Sequence, residues 1–144
     1  MSPETMSNQA IFFPMIAQVA LVIVLYALLA RRRAAAVKAG KARISQFREN
    51  LNEPEDSLFA RNSLANQFEL PVLFHVVCLA LFVTGNAGPW AVALAWVFAL
   101  SRYVHAAIHV TSNRIRHRQP AFSVGFVVLI ALWAMLAVQL AGRA

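Results

Sequence analysis

The sequence predicts an all-α integral membrane protein, a single domain over residues 1–144 built as a bundle of four transmembrane helices. Three observations carry that prediction. Hydrophobic residues make up 60% of the chain and charged ones only 13%, against about 25% charged in soluble domains. Four apolar stretches of about 20 residues recur, each long enough for a ~30 Å hydrocarbon core. The bases are also confined. Of the 13 Lys and Arg residues, eight fall between Arg31 and Arg61, four between Arg102 and Arg118, and the last is Arg143. Two basic segments set between apolar ones form the positive-inside pattern and place both segments on the cytoplasmic face. That confinement also argues against nucleic-acid binding, despite a net charge of +7.

Helix 1 is expected over about residues 9–30. Residues 5–30 carry no charge, and Pro14 lies near the start, where a missing N–H is tolerated. Glu4 precedes this stretch and Arg31, Arg32 and Arg33 follow it, the reverse of a cleavable secretory signal. The segment should therefore remain in the mature protein, with the N-terminus outside. Residues 31–56 read as a basic cytoplasmic loop, mostly a solvated linker, in which Ala34 to Ala42 can prolong helix 1 into water. Asn52, Pro54 and Glu55 read as N-cap, first-turn proline and capping-box acid of a helix starting near Glu53.

Helix 2 is expected over 57–84. Pro71 should kink it and release a carbonyl near Gln67. Gly85 to Pro89 makes a hairpin turn on the outer side, and helix 3 then runs over 89–113 with Trp90 at the interface. Arg102 arrives about 18 Å along it, near the midplane. Arg114 to Pro120 reads as a basic cytoplasmic loop, and the uncharged helix 4 spans 121–141, ending outside near Arg143. The lone Cys78 sits in an apolar run and reads as core packing.

Function is expected along Ser101 to Arg118. At 100° per residue, Arg102, His105, His109 and Asn113 fall within about 80° on one helical face. A charge at the centre of a membrane helix costs at least about 2.5–3.5 kcal/mol and is rarely idle. On helix 2, Asn62, Asn66 and Glu69 share a face. The antiparallel hairpin brings Glu69 to the depth of Arg102, so a buried ion pair is expected, with Asn66 and the two His adding hydrogen bonds. Nearer the cytoplasm, His109, Asn113, Arg114, Arg116, His117 and Arg118 form a basic funnel beside Arg61 and Asn66, suited to an anionic ligand. The bland account is an ion pair that only locks two helices, with bases that only set topology. The i, i+4 pair His105 and His109 could chelate a metal, but His75 sits about 120° from Glu69's side of helix 2. No HExxH pattern accompanies them, so no metal site is expected.

The order Asn66, Glu69 and Pro71 (NxxE then Pro), then Arg102 and His105 (RxxH), then Arg118, resembles the MAPEG family, the membrane-associated proteins in eicosanoid and glutathione metabolism. Four helices and a long first cytoplasmic loop extend the resemblance over essentially the whole chain. ANQFELPVLF and SRYVHAAIHVTSNRIRHR are especially similar to bacterial members. The resemblance implies a homotrimer in the inner membrane, with glutathione as co-substrate in a cleft between subunits. It implies that Asn66 and Glu69 bind glutathione, with Glu69 paired to Arg102. His105 and His109 would line the cleft, and Arg118 would be the catalytic, thiolate-stabilising base. The substrate would be a lipophilic electrophile or hydroperoxide reaching the cleft from the bilayer. The chain also departs from the family's prostaglandin synthases. Asn62 and Ala65 stand where Arg is usual, His109 where they have Tyr, and Gln119 where they have Ser. Two other readings compete. A non-enzymatic scaffold or accessory subunit would co-purify with a larger membrane complex. A small four-helix exporter would need its acid in helix 1, which has none.

Overall fold

The computed structural model describes residues 8–49 and 52–142. Among them run α1 (Phe12–Lys38), α2 (Gln46–Glu49), α3 (Glu55–Ala65), a 3-10 turn (Asn66–Phe68), α4 (Leu70–Val83), α5 (Pro89–Val110) and α6 (Ile115–Ala141). Glu4 and Arg143, which helped orient the chain above, lie outside the described residues. Four stretches are long and apolar enough to cross a membrane: Phe12–Lys38, Ser57–Val83, Pro89–Val110 and Ile115–Ala141.

The alanine-rich stretch does prolong the first helix, because Ala34 to Val37 offer good helix formers and no breaker until Gly40. Gly40 stops it with φ +69. Its N–H donates to the Val37 carbonyl (3.0 Å) and that of Lys41 to Ala36 (2.9 Å), a Schellman ending that only a residue free to go left-handed completes cheaply. The segment beyond is more than a solvated linker. Arg33 grips Glu53 with two hydrogen bonds, 2.8 and 3.1 Å, and its guanidinium lies 4.8 Å from the Phe47 ring centroid. Burial alone would raise the Glu53 carboxyl. The Arg33 bonds and charge, the Ser57 hydroxyl and the Arg61 charge outweigh that and hold it below its ordinary value. Asn52 is not the N-cap, since its φ of +57 is left-handed. Pro54 takes that position and the helix starts at Glu55, with the Ser57 hydroxyl closing onto the Pro54 carbonyl at 3.0 Å.

The second crossing breaks where Pro71 required it. α3 tightens into the 3-10 turn, Glu69 leaves helical geometry at φ −102 and ψ −106, and α4 restarts with Pro71 in its first turn. Gly85, at φ +70, repeats the Schellman ending before the hairpin. Asn8 latches onto that hairpin, donating to the Phe82 carbonyl (3.2 Å) and accepting from the Ala87 N–H (3.1 Å).

Two buried clusters hold the bundle. One stacks Phe74 on Phe98 (centroids 4.3 Å apart) and adds Leu81 and Leu132. The other packs Leu21, Leu25 and Leu29 of α1 against Ala60, Leu64 and Ala106. Ala91, Ala95 and Ala99 keep α5 slim, and Gly125 lets α6 approach so closely that a Cβ there would lie 2.7 Å from Ser101 Oγ. Two expectations fail at the end of the third crossing. α5 stops at Val110, so Asn113, at φ +47, leaves the face of Arg102 and His109. Residues 115–120 are not a loop but the first turns of α6, with Pro120 inside the helix.

Candidate functional site

α5 turns Arg102, His105 and His109 inward at spacings of three and four, which stacks them on one face. They are 0%, 3% and 3% exposed. The broken helix supplies Asn66 and Glu69, and the early turns of α6 supply Arg118, Gln119 and Phe122. Asn66, Glu69, His105, Arg118, Gln119 and Phe122 together line a cavity of about 260 Å³. Four of the six residues singled out from the sequence thus meet at one cavity.

The expected ion pair does not form. No oxygen of Glu69 comes within 4.0 Å of an Arg102 nitrogen, because the break at Glu69 turns this residue out to an exposed position. Arg102 instead donates from Nη2 to the Asn66 carbonyl at 3.2 Å, in the segment where the proline break releases backbone acceptors. Its guanidinium carbon lies 5.8 Å from the Phe122 ring centroid, and its Nε and Nη1 have no hydrogen-bond partner. The three buried nitrogens of one cation therefore share a single acceptor and one aromatic face.

His105 Nδ1 lies 3.3 Å from the Arg118 carbonyl. A carbonyl only accepts, so that contact requires the proton on Nδ1, which leaves Nε2 of the neutral ring as an acceptor. Nε2 is buried and has no partner. His109 does not line the cavity; it packs edge-on against His105 with centroids 5.7 Å apart, and its Nδ1 is likewise unpartnered. Arg118 donates from Nη1 to Asn113 Oδ1 at 2.6 Å. Asn113, displaced from the helical face, thus re-enters the site as the group that orients Arg118.

The basic funnel is smaller than expected. Arg114, Arg116 and His117 are exposed and do not line the cavity, and Arg61 turns toward Glu53 at 4.0 Å. Phe122 is the lining residue that sequence reasoning passed over, and Gln119, noted there only as a departure from the family's Ser, lines the cavity as well. The i, i+4 spacing of Arg118 and Phe122 was the available signal, hidden by treating 114–120 as a loop. Two larger hollows, about 390 and 400 Å³, open beside the last turns of α1, away from these groups.

Residues 11–138 match the family model described as MAPEG family. No curated protein and no solved structure matches the chain.

Proposed function

The chain belongs to the MAPEG family and is an integral membrane protein, and on that footing we propose that it is a glutathione-dependent transferase or peroxidase acting on lipophilic electrophiles or hydroperoxides. One observation carries the reading: Asn66, Glu69, His105 and Arg118, from three separate helical segments, line a single cavity. His105 brings a free acceptor to this lining, and the buried charge of Arg102 lies behind it without lining the cavity itself.

Bound glutathione supplies the nucleophilic sulfur. Asn66 and Glu69 hold its amide and amino groups, and Arg102, buried behind the cavity wall, steadies the Asn66 segment through that residue's carbonyl and adds a positive charge that favours an anion. His109 backs His105 and keeps its ring upright. Arg118, anchored through one nitrogen to Asn113, presents its other N–H groups beside the thiol and favours the charged form of the sulfur. His105 Nε2 accepts the thiol proton. We take the working unit to be a homotrimer in a bacterial inner membrane, both termini outside, in which a neighbouring subunit closes the open side of the cavity. The lipophilic substrate then enters from the bilayer.

The test is thermal denaturation of the detergent-solubilised protein. Millimolar glutathione should raise the melting temperature, and Arg118→Ala should abolish that rise while the ligand-free protein still melts cooperatively. Absence of a shift in the unsubstituted protein overturns the proposal.

A further inference from the structure

The end of α1 carries a second, unrelated feature. Residues 31–48 hold seven bases and no acid. α1 rises about 1.5 Å per residue and needs about 20 residues to cross the hydrocarbon core. Its stretch from Arg31 to Lys38 therefore climbs about 10 Å through the phospholipid headgroup layer rather than into open water. Against that stretch, α2 and the strand of chain before it fold back to enclose the hollow of about 400 Å³ lined by Arg33, Ala34, Val37, Lys38, Ile44 and Phe47.

The lining is almost wholly apolar, and Ile44, an aliphatic residue in a basic segment, is 75% exposed at its edge. Arg33 does not make the hollow cationic, because Glu53 neutralises it and its flat face covers Phe47. The edge is another matter: Lys38 lines the hollow and is exposed, and the exposed Arg43 directly precedes Ile44 in the chain, while Lys41 belongs to the neighbouring hollow of about 390 Å³. An apolar trough with a cationic rim, at headgroup depth, matches a molecule that carries an anion at one end and a hydrocarbon chain at the other. We propose that this hollow seats an anionic phospholipid of the surrounding bilayer, with the acyl chain along Val37, Ile44 and Phe47 and the phosphate between Lys38 and Arg43. A neutral lipid gains nothing from the rim, and a soluble anion gains nothing from the trough. The site is distinct from the thiol cavity, so either proposal can fail alone.

Native mass spectrometry of the full chain, released from detergent containing equal phosphatidylglycerol and phosphatidylcholine, tests it. Phosphatidylglycerol should be retained preferentially. Replacing Lys38 and Arg43 by Gln should erode that preference about fivefold per base. Ile44→Asn, at an exposed position, should reduce retention of both lipids without shifting the melting temperature. Equal retention of the two lipids by the unsubstituted protein overturns the proposal, as does full preference in the double variant. Displacement of the lipid by millimolar glycerol 3-phosphate would reveal a soluble-anion site instead. Cross-linking of an Ile44→Cys variant to a second copy would reveal a protein interface. Either result also overturns it.

Discussion

A guanidinium with no exposed surface, one hydrogen bond to a carbonyl and two nitrogens left over burdens the fold unless another group accepts from it. Arg102 is in that position. Each buried donor without a partner costs about 1–3 kcal/mol, and the Asn66 carbonyl would cost a similar amount if Arg102 were removed. Two orphaned donors against one satisfied acceptor put the balance near zero or slightly against the arginine. Arg102→Met fills a similar volume without charge. Its expected effect on the ligand-free protein is a change of less than about 1 kcal/mol, or a gain, because relief of the unpartnered donors offsets the one carbonyl left without its donor. The glutathione-induced rise in melting temperature should nevertheless shrink, since the positive charge behind the cavity wall is gone. A large loss of ligand-free stability would show that Arg102 is already fully partnered at rest, and its role would then be structural.

At the scale of elements, the closeness of α5 and α6 decides whether residues from both can share one cavity. Gly125 sets that distance. A methyl there would meet Ser101 Oγ at 2.7 Å, and that hydroxyl is held 2.7 Å from the Phe98 carbonyl of its own helix. Gly125→Ala should therefore force the helices apart and cost about 1–3 kcal/mol, the usual range for overpacking. Adding Ser101→Ala should restore most of the loss, because Ser101 only bonds its own helix and leaves no distant partner behind. Melting of the single and double variants checks this, and strictly additive losses would disprove the packing account. The helices and the proline break were legible in the sequence because they rest on local rules: apolar run length, glycine ends and the missing N–H of Pro71. The start of α6 was not, because charge alone made 114–120 look like a loop, while the backbone there can be helical regardless of solvent. The same error hid Phe122 and left Gln119 as a mere departure from the family pattern. Of the site, the residue types and their approximate depth could be read. Partner choice could not, since nothing local says that Arg102 would take the Asn66 carbonyl in preference to Glu69, or that Asn113 would hold Arg118.

For the whole molecule, the distribution of charge carries more information than its sum. The seven bases of 31–48 and the three of Arg114, Arg116 and Arg118 lie around two connections separated by two crossings, so both must emerge on one side. The hairpin at Gly85 to Pro89 must emerge on the other. Three single substitutions read this directly: Lys41→Cys, Gly88→Cys and Ser112→Cys. Lys41 and Ser112 are exposed, and an added Cβ at Gly88 meets nothing within 4 Å. The native Cys78 is fully buried in the core and should stay silent toward a bulky reagent. A membrane-impermeant maleimide applied to intact cells should label the Gly88→Cys variant. It should label the Lys41→Cys and Ser112→Cys variants only after permeabilisation, if both basic connections face the cytoplasm as the positive-inside rule requires. The reverse pattern would keep the four crossings and invert the orientation, which would open the cavity between α5 and the start of α6 to the outside and remove it from cytoplasmic thiols. Labelling of Lys41→Cys and Ser112→Cys from opposite faces would break the four-crossing arrangement itself. The cavity depends on that arrangement, because it exists only if the break in the second crossing, the end of the third and the start of the fourth lie on the same side of the membrane.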